Sequence, residues 1–177
     1  MKLTIVGCSG TFPGPKDACS SYLLEHDGYR LLLDAGNGST GALQRTVGLL
    51  DLDAVLISHM HGDHFLDLVT YTYARRYHPQ GNPGCLPVHG PSDVADHVAA
   101  AFGRPVKELL DEVYEFHPAA GPGVVDLGPF HIERDPALGE PRHRFLTTGD
   151  PDGFQRIGRR FLGPEMDSAQ QFAWVGA

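Results

Sequence analysis

The sequence is poor in the features that would tie it to a membrane, to an oxidising compartment or to a broad nucleic-acid surface. It has three cysteines, Cys8, Cys19 and Cys85. An odd number without a C-x-x-C spacing suggests neither a disulfide framework nor a cysteine zinc site and fits a reducing cytoplasm. No stretch approaches the roughly 20 apolar residues that a membrane helix needs, so no membrane association is expected. The run Met1 to Gly7 is too short for the apolar core of a signal peptide, and the chain reads as unexported. Basic side chains are outnumbered, 14 against 22 acidic ones, for a net charge of −8. That deficit disfavours non-specific nucleic-acid binding and leaves room only for a local basic patch. There is no internal repeat and no low-complexity segment.

What is present suits one domain with a substantial core, spanning residues 1–177. Leu3 to Gly7 reads as a first strand closed by the loop Gly7-Cys8-Ser9-Gly10. Ser21 to Glu25 and Tyr29 to Asp34 read as a hairpin turning at Asp27-Gly28, a dipeptide that tolerates positive φ. Leu43, Val47 and Leu50 predict a helix over 40–50, Asp53 to Ser58 a buried strand, and the recurrence from Phe65 to Tyr77 a second helix ending before Pro79. Leu86 to Gly90 reads as a strand, the segment after Pro91 as a helix with Val94, Val98 and Ala101, and 113–116 and 130–133 as short strands. Strands alternating with helices after an opening hairpin imply an α/β layered fold with a mixed sheet.

The centre of the chain is Ser58-His59-Met60-His61-Gly62-Asp63-His64, three imidazoles and a carboxylate within six residues, directly after the apolar run Ala54 to Ile57. Imidazole and carboxylate are ligands that divalent zinc, manganese or iron accept. Two residues apart on an extended segment, His59 and His61 project to one side and can clamp one ion. Asp63 and His64 fall where the chain turns into a helix and point to a second position. Two ions close together can share a bridging hydroxide, a nucleophile at neutral pH, which implies hydrolysis of an ester, amide, thioester or phosphodiester.

With these residues in view, the chain resembles the metallo-β-lactamase superfamily, in the branch similar to the tRNA 3′-end processing ribonuclease Z and related phosphodiesterases. The resemblance covers residues 1–133. It is carried by Gly7-Cys8-Ser9-Gly10, Cys19-Ser20-Ser21-Tyr22-Leu23, Leu33-Asp34-Ala35-Gly36, the histidine motif, and Val88-His89-Gly90-Pro91. It implies an αββα sandwich with mixed sheets and two zinc ions, with manganese or iron as alternatives. It puts His59 and His61 on one metal and Asp63 and His64 on the other; these last two are also the candidate catalytic residues. Asp34 corresponds to the acidic residue beneath the metal loop, with a turn-forming Asp as the rival reading. Asp67 is either a partner of a ligand imidazole or an exposed first-turn residue. Arg75 and Arg76 are either phosphate contacts or a solvated helix face, and His78, His89, His97 and His117 read as surface or core histidines.

The remaining ligands of the family lie towards the C-terminus. Leu146-Thr147-Thr148-Gly149-Asp150 resembles the Gly-Asp turn that bridges the metals, making Asp150 the candidate bridge. The expected His-Pro and distal histidine are absent. Residues 134–177 hold six basic and six acidic side chains, against eight and sixteen before them, and lose periodicity. The expectation is therefore a family-like part over 1–133, an atypical tail over 134–177 from truncation or a frame shift, and a second half of the fold that is incomplete. The substrate expected is a phosphodiester, tRNA among the candidates, or another small ester. Rival readings are a lactonase or thioesterase on the same fold, and an inactive metal-binding fragment. A second copy of the chain is a candidate partner.

Overall fold

Asp27 and Gly28 take φ of 48° and 82°, the left-handed pair that a two-residue hairpin turn requires. Strand β3 (Ser21–His26) accordingly folds back onto β4 (Tyr29–Leu33), with His26 opposite Tyr29 and Tyr22 opposite Leu33. The computed structural model describes residues 1–103, 112–119, 123–135 and 142–147 of the chain. Strand β1 (Lys2–Ser9) pairs antiparallel with β3, and the two-residue β2 (Ala18–Cys19) pairs parallel with β1. Beyond β4 lie β5 (Ala54–Leu56), β6 (Leu86–Pro91) and β7 (Tyr114–Ala119), each parallel to its neighbour. The result is a seven-stranded mixed sheet in the order β2-β1-β3-β4-β5-β6-β7.

The central strands read as continuous apolar runs because both faces are buried, and alternate residues serve different cores. On one face Leu23, Leu32, Val55 and Ile57 meet Leu43 of helix α1 (Ser39–Leu43), Leu68 and Tyr71 of α3 (Asp67–Arg76), and Val94 and Val98 of α4 (Val94–Phe102). On the other, Leu24, Leu31, Leu33, Ala54 and Leu56 meet Leu127, Phe130 and Ile132. Those last three belong to a second sheet of β8 (Gly123–Leu127), β9 (Phe130–Asp135) and β10 (Arg142–Thr147), in the order β10-β9-β8. Each fully buried leucine contributes about 2 kcal/mol by leaving water. The layers helix, sheet and sheet of the expected sandwich are thus present. No helix on the outer side of the second sheet is among the described residues.

Several boundaries differ from the sequence reading. The helix expected over 40–50 stops at Leu43. Val47 still donates to the Leu43 carbonyl at 3.0 Å and stays in the core, but the chain turns again where Asp51 N–H reaches Gly48 O at 3.1 Å. The helix expected from Phe65 is two segments, α2 (Gly62–Phe65) and α3. The second sheet crosses the composition boundary at 133 without a break, since β9 runs through Asp135 and pairs antiparallel with β10, Thr147 opposite Phe130. Strand β8 carries Gly123 and ends at the Gly128 turn, and these glycines make the whole segment look like turns in the sequence.

Candidate metal centre

Because β4 and β5 run parallel, they end at the same side of the sheet, and ligand-bearing loops gather at the carboxyl ends of such strands. Asp34 follows β4 and the histidine segment follows β5. Asp34 adopts φ 57°, a conformation that Asp tolerates better than most residues. Its N–H donates to Leu56 O at 2.9 Å, which extends the β4–β5 pairing and turns the carboxylate under the loop. Fully buried, that carboxylate accepts Ser58 N–H on Oδ1 at 2.7 Å and Ser58 Oγ–H on Oδ2 at 2.8 Å. His64 Nδ1 lies 2.7 Å from Oδ2. Asp34 is therefore the residue that orients the loop rather than a simple turn former.

The following turn fixes His64 from the other side. Ala35 N–H donates to His64 O at 2.7 Å, and Asp67 N–H donates to Ala35 O at 2.9 Å. That second bond diverts an amide from the helical ladder and separates α2 from α3. Gly36 sits against this junction so tightly that a Cβ would lie 2.0 Å from Asp63 O and 2.7 Å from Cys19 Cβ. The side-chain-free residue is a consequence of that approach.

The three histidines converge. The His59 ring centroid is 4.7 Å from that of His61 and 4.0 Å from that of His64. His59 Nε2 and His61 Nδ1 face each other at 3.1 Å, and Asp63 Oδ2 is 3.6 Å from His64 Nε2. Two nitrogens bound at about 2.0–2.1 Å to one tetrahedral zinc stand about 3.3 Å apart, so the His59–His61 pair has the spacing of two ligands on one ion. With Nδ1 of His64 engaged by Asp34, its Nε2 is the nitrogen turned towards Asp63, the arrangement in which a carboxylate holds a ligand imidazole. The donor set therefore fits a divalent metal. Among the described residues, no three His, Cys, Asp or Glu side chains are grouped to enclose one ion. Asp150 lies outside the described residues.

Other residues singled out from the sequence go elsewhere. Asp67 is not exposed: buried, it accepts Thr40 N–H at 2.6 Å and Ser39 Oγ–H at 3.4 Å and so ties α3 to α1. Arg75 is not available to a phosphate, being buried, with Nη2 on Gly84 O at 2.9 Å and the guanidinium 5.9 Å from the Tyr71 ring centroid. Arg76 pairs with Glu112 at 3.2 Å. His97 is exposed, beside Phe65 and Asp93. His89 and His117, opposite each other on β6 and β7, stack at 4.5 Å, a contact that only the parallel register brings about. Ser58 had no assigned role in the sequence. The signal available was its position between an apolar strand and the first histidine. No helix among the described residues is long and apolar enough to cross a membrane.

A family model for the Metallo-beta-lactamase superfamily matches residues 14–157, beyond the boundary at 133 and past Gly149 and Asp150. An uncharacterised protein of Mycobacterium tuberculosis, Rv1339, is 36% identical over 159 residues, 86% of this chain and 57% of its own. Bacillus subtilis YhfI, described as a probable metallo-hydrolase, is 37% identical over 92 residues, 51% of this chain and 38% of its own. The crystal structure of YhfI superposes with a TM-score of 0.62 at 24% identity, covering 82% of this chain and 61% of the other. Human tRNase Z, short form, superposes with a TM-score of 0.62 at 18% identity, covering 85% and 72%. The chain spans about half the length of the curated relatives it matches.

Proposed function

Because the chain belongs to the metallo-β-lactamase superfamily, we propose that it is a metal-dependent hydrolase acting on phosphodiester bonds. The observation that carries this reading is the facing pair of ring nitrogens on His59 and His61, 3.1 Å apart, beside a His64 held by a buried carboxylate. The choice of phosphodiester over other esters is supported by the likeness to tRNase Z, and tRNA is one substrate of that class to test. His59 and His61 would hold one ion and Asp63 and His64 a second, with Asp150 a candidate bridge; zinc is the first choice, manganese or iron the alternatives. When bound, such ions supply Lewis acidity and lower the pKa of a coordinated water. The chain's own part is positional. Asp34 holds the proton on His64 Nδ1, and the Ala35 to Asp67 exchange fixes the backbone from which Asp63 and His64 project.

The test is an activity panel on protein loaded with zinc or manganese: an activated phosphodiester, a lactone and a thioester, each with wild type, His59→Ala and His64→Ala. The expected result is about two equivalents of metal bound, turnover of the phosphodiester, and its loss in both variants. Preference for the lactone or thioester would transfer the same site to carbonyl chemistry. Metal binding without turnover would make the chain a binding module, and metal lost on gentle dialysis with both histidines intact would defeat the reading.

A further inference from the structure

Ser58 lies between the buried carboxylate and the first histidine, and its single hydroxyl proton can go only one way. Oγ is 2.8 Å from Asp34 Oδ2 and 2.9 Å from His59 Nδ1, with His64 Nδ1 farther off at 3.5 Å. A carboxylate oxygen only accepts, so the hydroxyl must donate to it; otherwise two oxygen lone pairs would face each other in a buried site. Oγ is then an acceptor towards His59, and the partner it needs at 2.9 Å is Nδ1 carrying its proton.

We propose that Ser58 is a positioning residue that selects the Nδ1-protonated tautomer of His59, so that the Nε2 lone pair is presented on the side of His61. Through Ser58 and directly, one carboxylate, Asp34, governs two imidazoles: His64 by its own contact and His59 by way of the hydroxyl. With both Nδ1 atoms protonated inward, His59 and His64 each turn Nε2 outward, and the facing Nδ1 of His61 supplies the third nitrogen. Outer partners of this kind typically change metal affinity about 10- to 100-fold when removed. The consequence for metal rests on the reading of His59 as a ligand, whereas the tautomer does not.

The experiment uses the full chain labelled with 15N at histidine, metal-free, at a pH where the imidazoles are neutral. Two-bond proton–nitrogen correlation spectra report which ring nitrogen bears the proton, and competition with a chromophoric chelator gives the zinc affinity. Wild type and Ser58→Thr are expected to show His59 protonated at Nδ1. Ser58→Ala is expected to shift His59 towards the Nε2-protonated form and to bind zinc about tenfold or more weakly. A wild-type His59 protonated at Nε2 overturns the proposal whether or not the variant folds. So does a Ser58→Ala protein with an unchanged tautomer, or one that binds zinc as tightly as wild type. If wild type binds none of zinc, manganese and iron, the hydrolase reading fails and the tautomer spectra alone decide this inference.

Discussion

Asp34 and His64, thirty residues apart in sequence, meet at 2.7 Å between Oδ2 and Nδ1 in a buried site. Asp34 serves three donors at once, the other two being Ser58 N–H and Ser58 Oγ–H. Asn keeps the shape and tolerates φ 57°, but its amide nitrogen cannot accept. Asp34→Asn should therefore lose about 2–3 kcal/mol of stability and bind zinc about 10- to 100-fold more weakly. Urea unfolding and chelator competition measure the two effects, and a variant matching wild type in both would remove Asp34 from this role.

Asp67 makes the contrasting case. It accepts Thr40 N–H at 2.6 Å at the start of α1, Ser39 Oγ–H at 3.4 Å and Thr70 Oγ1–H at 3.4 Å. Asp67→Ala should cost about 1–3 kcal/mol by leaving the Thr40 amide buried and unpaired, while zinc affinity relative to wild type is retained in the folded fraction. Weakened zinc binding at temperatures well below the melting transition would return Asp67 to the metal site.

These two aspartates show what the sequence could and could not convey. The convergence of the three histidines and the layered fold were legible because they rest on local spacing: alternate histidines after an apolar strand, and apolar runs long enough to be buried on both faces. The hairpin turn at Asp27-Gly28 was legible for the same reason. Asp34 beneath the loop was one of two readings, carried by the likeness of Leu33-Asp34-Ala35-Gly36 to the family, whereas the role of Asp67 depends on which helix faces which, and nothing in its neighbours fixes that. Arg75 follows the same logic, since Gly84, which takes its guanidinium, is reached only after the chain turns back. Strands β8 and β10 were missed because glycine and arginine interrupt their alternation, although Leu127 and Phe130 fill the core between the sheets.

Two glycines five residues apart should respond oppositely to a methyl group. At Gly36 a Cβ would meet Asp63 O at 2.0 Å, a backbone atom that cannot move without shifting the metal loop. At Gly41, inside α1, a Cβ meets nothing within 4 Å. Gly36→Ala should destabilise by about 1–3 kcal/mol and weaken zinc binding, whereas Gly41→Ala should stabilise by about 0.5–1 kcal/mol through helix propensity. Thermal melts with and without zinc compare them. Equal effects of the two substitutions would mean that the approach of Gly36 to Asp63 does not constrain the loop.

The three thiols should separate kinetically. Cys8 and Cys85 are exposed and Cys19 is buried against Gly36, its Sγ 3.5 Å from Gly10 O. Burial first, and then the negative charge of Asp63, push the Cys19 thiol above its ordinary pKa. The thiolate is the reactive form, so at any pH near neutrality Cys19 holds less of it and is shielded as well. A disulfide reagent should consume two thiols rapidly and the third slowly, with the slow phase responding to pH at a more alkaline range. Asp63→Asn should quicken that phase only slightly, because burial is the larger cause, whereas Gly36→Ala, which disturbs the packing over Cys19, should quicken it more. A third thiol as fast as the other two in the folded wild type would show that the β2 edge is open and that the contact between Cys19 and the metal loop does not persist in solution.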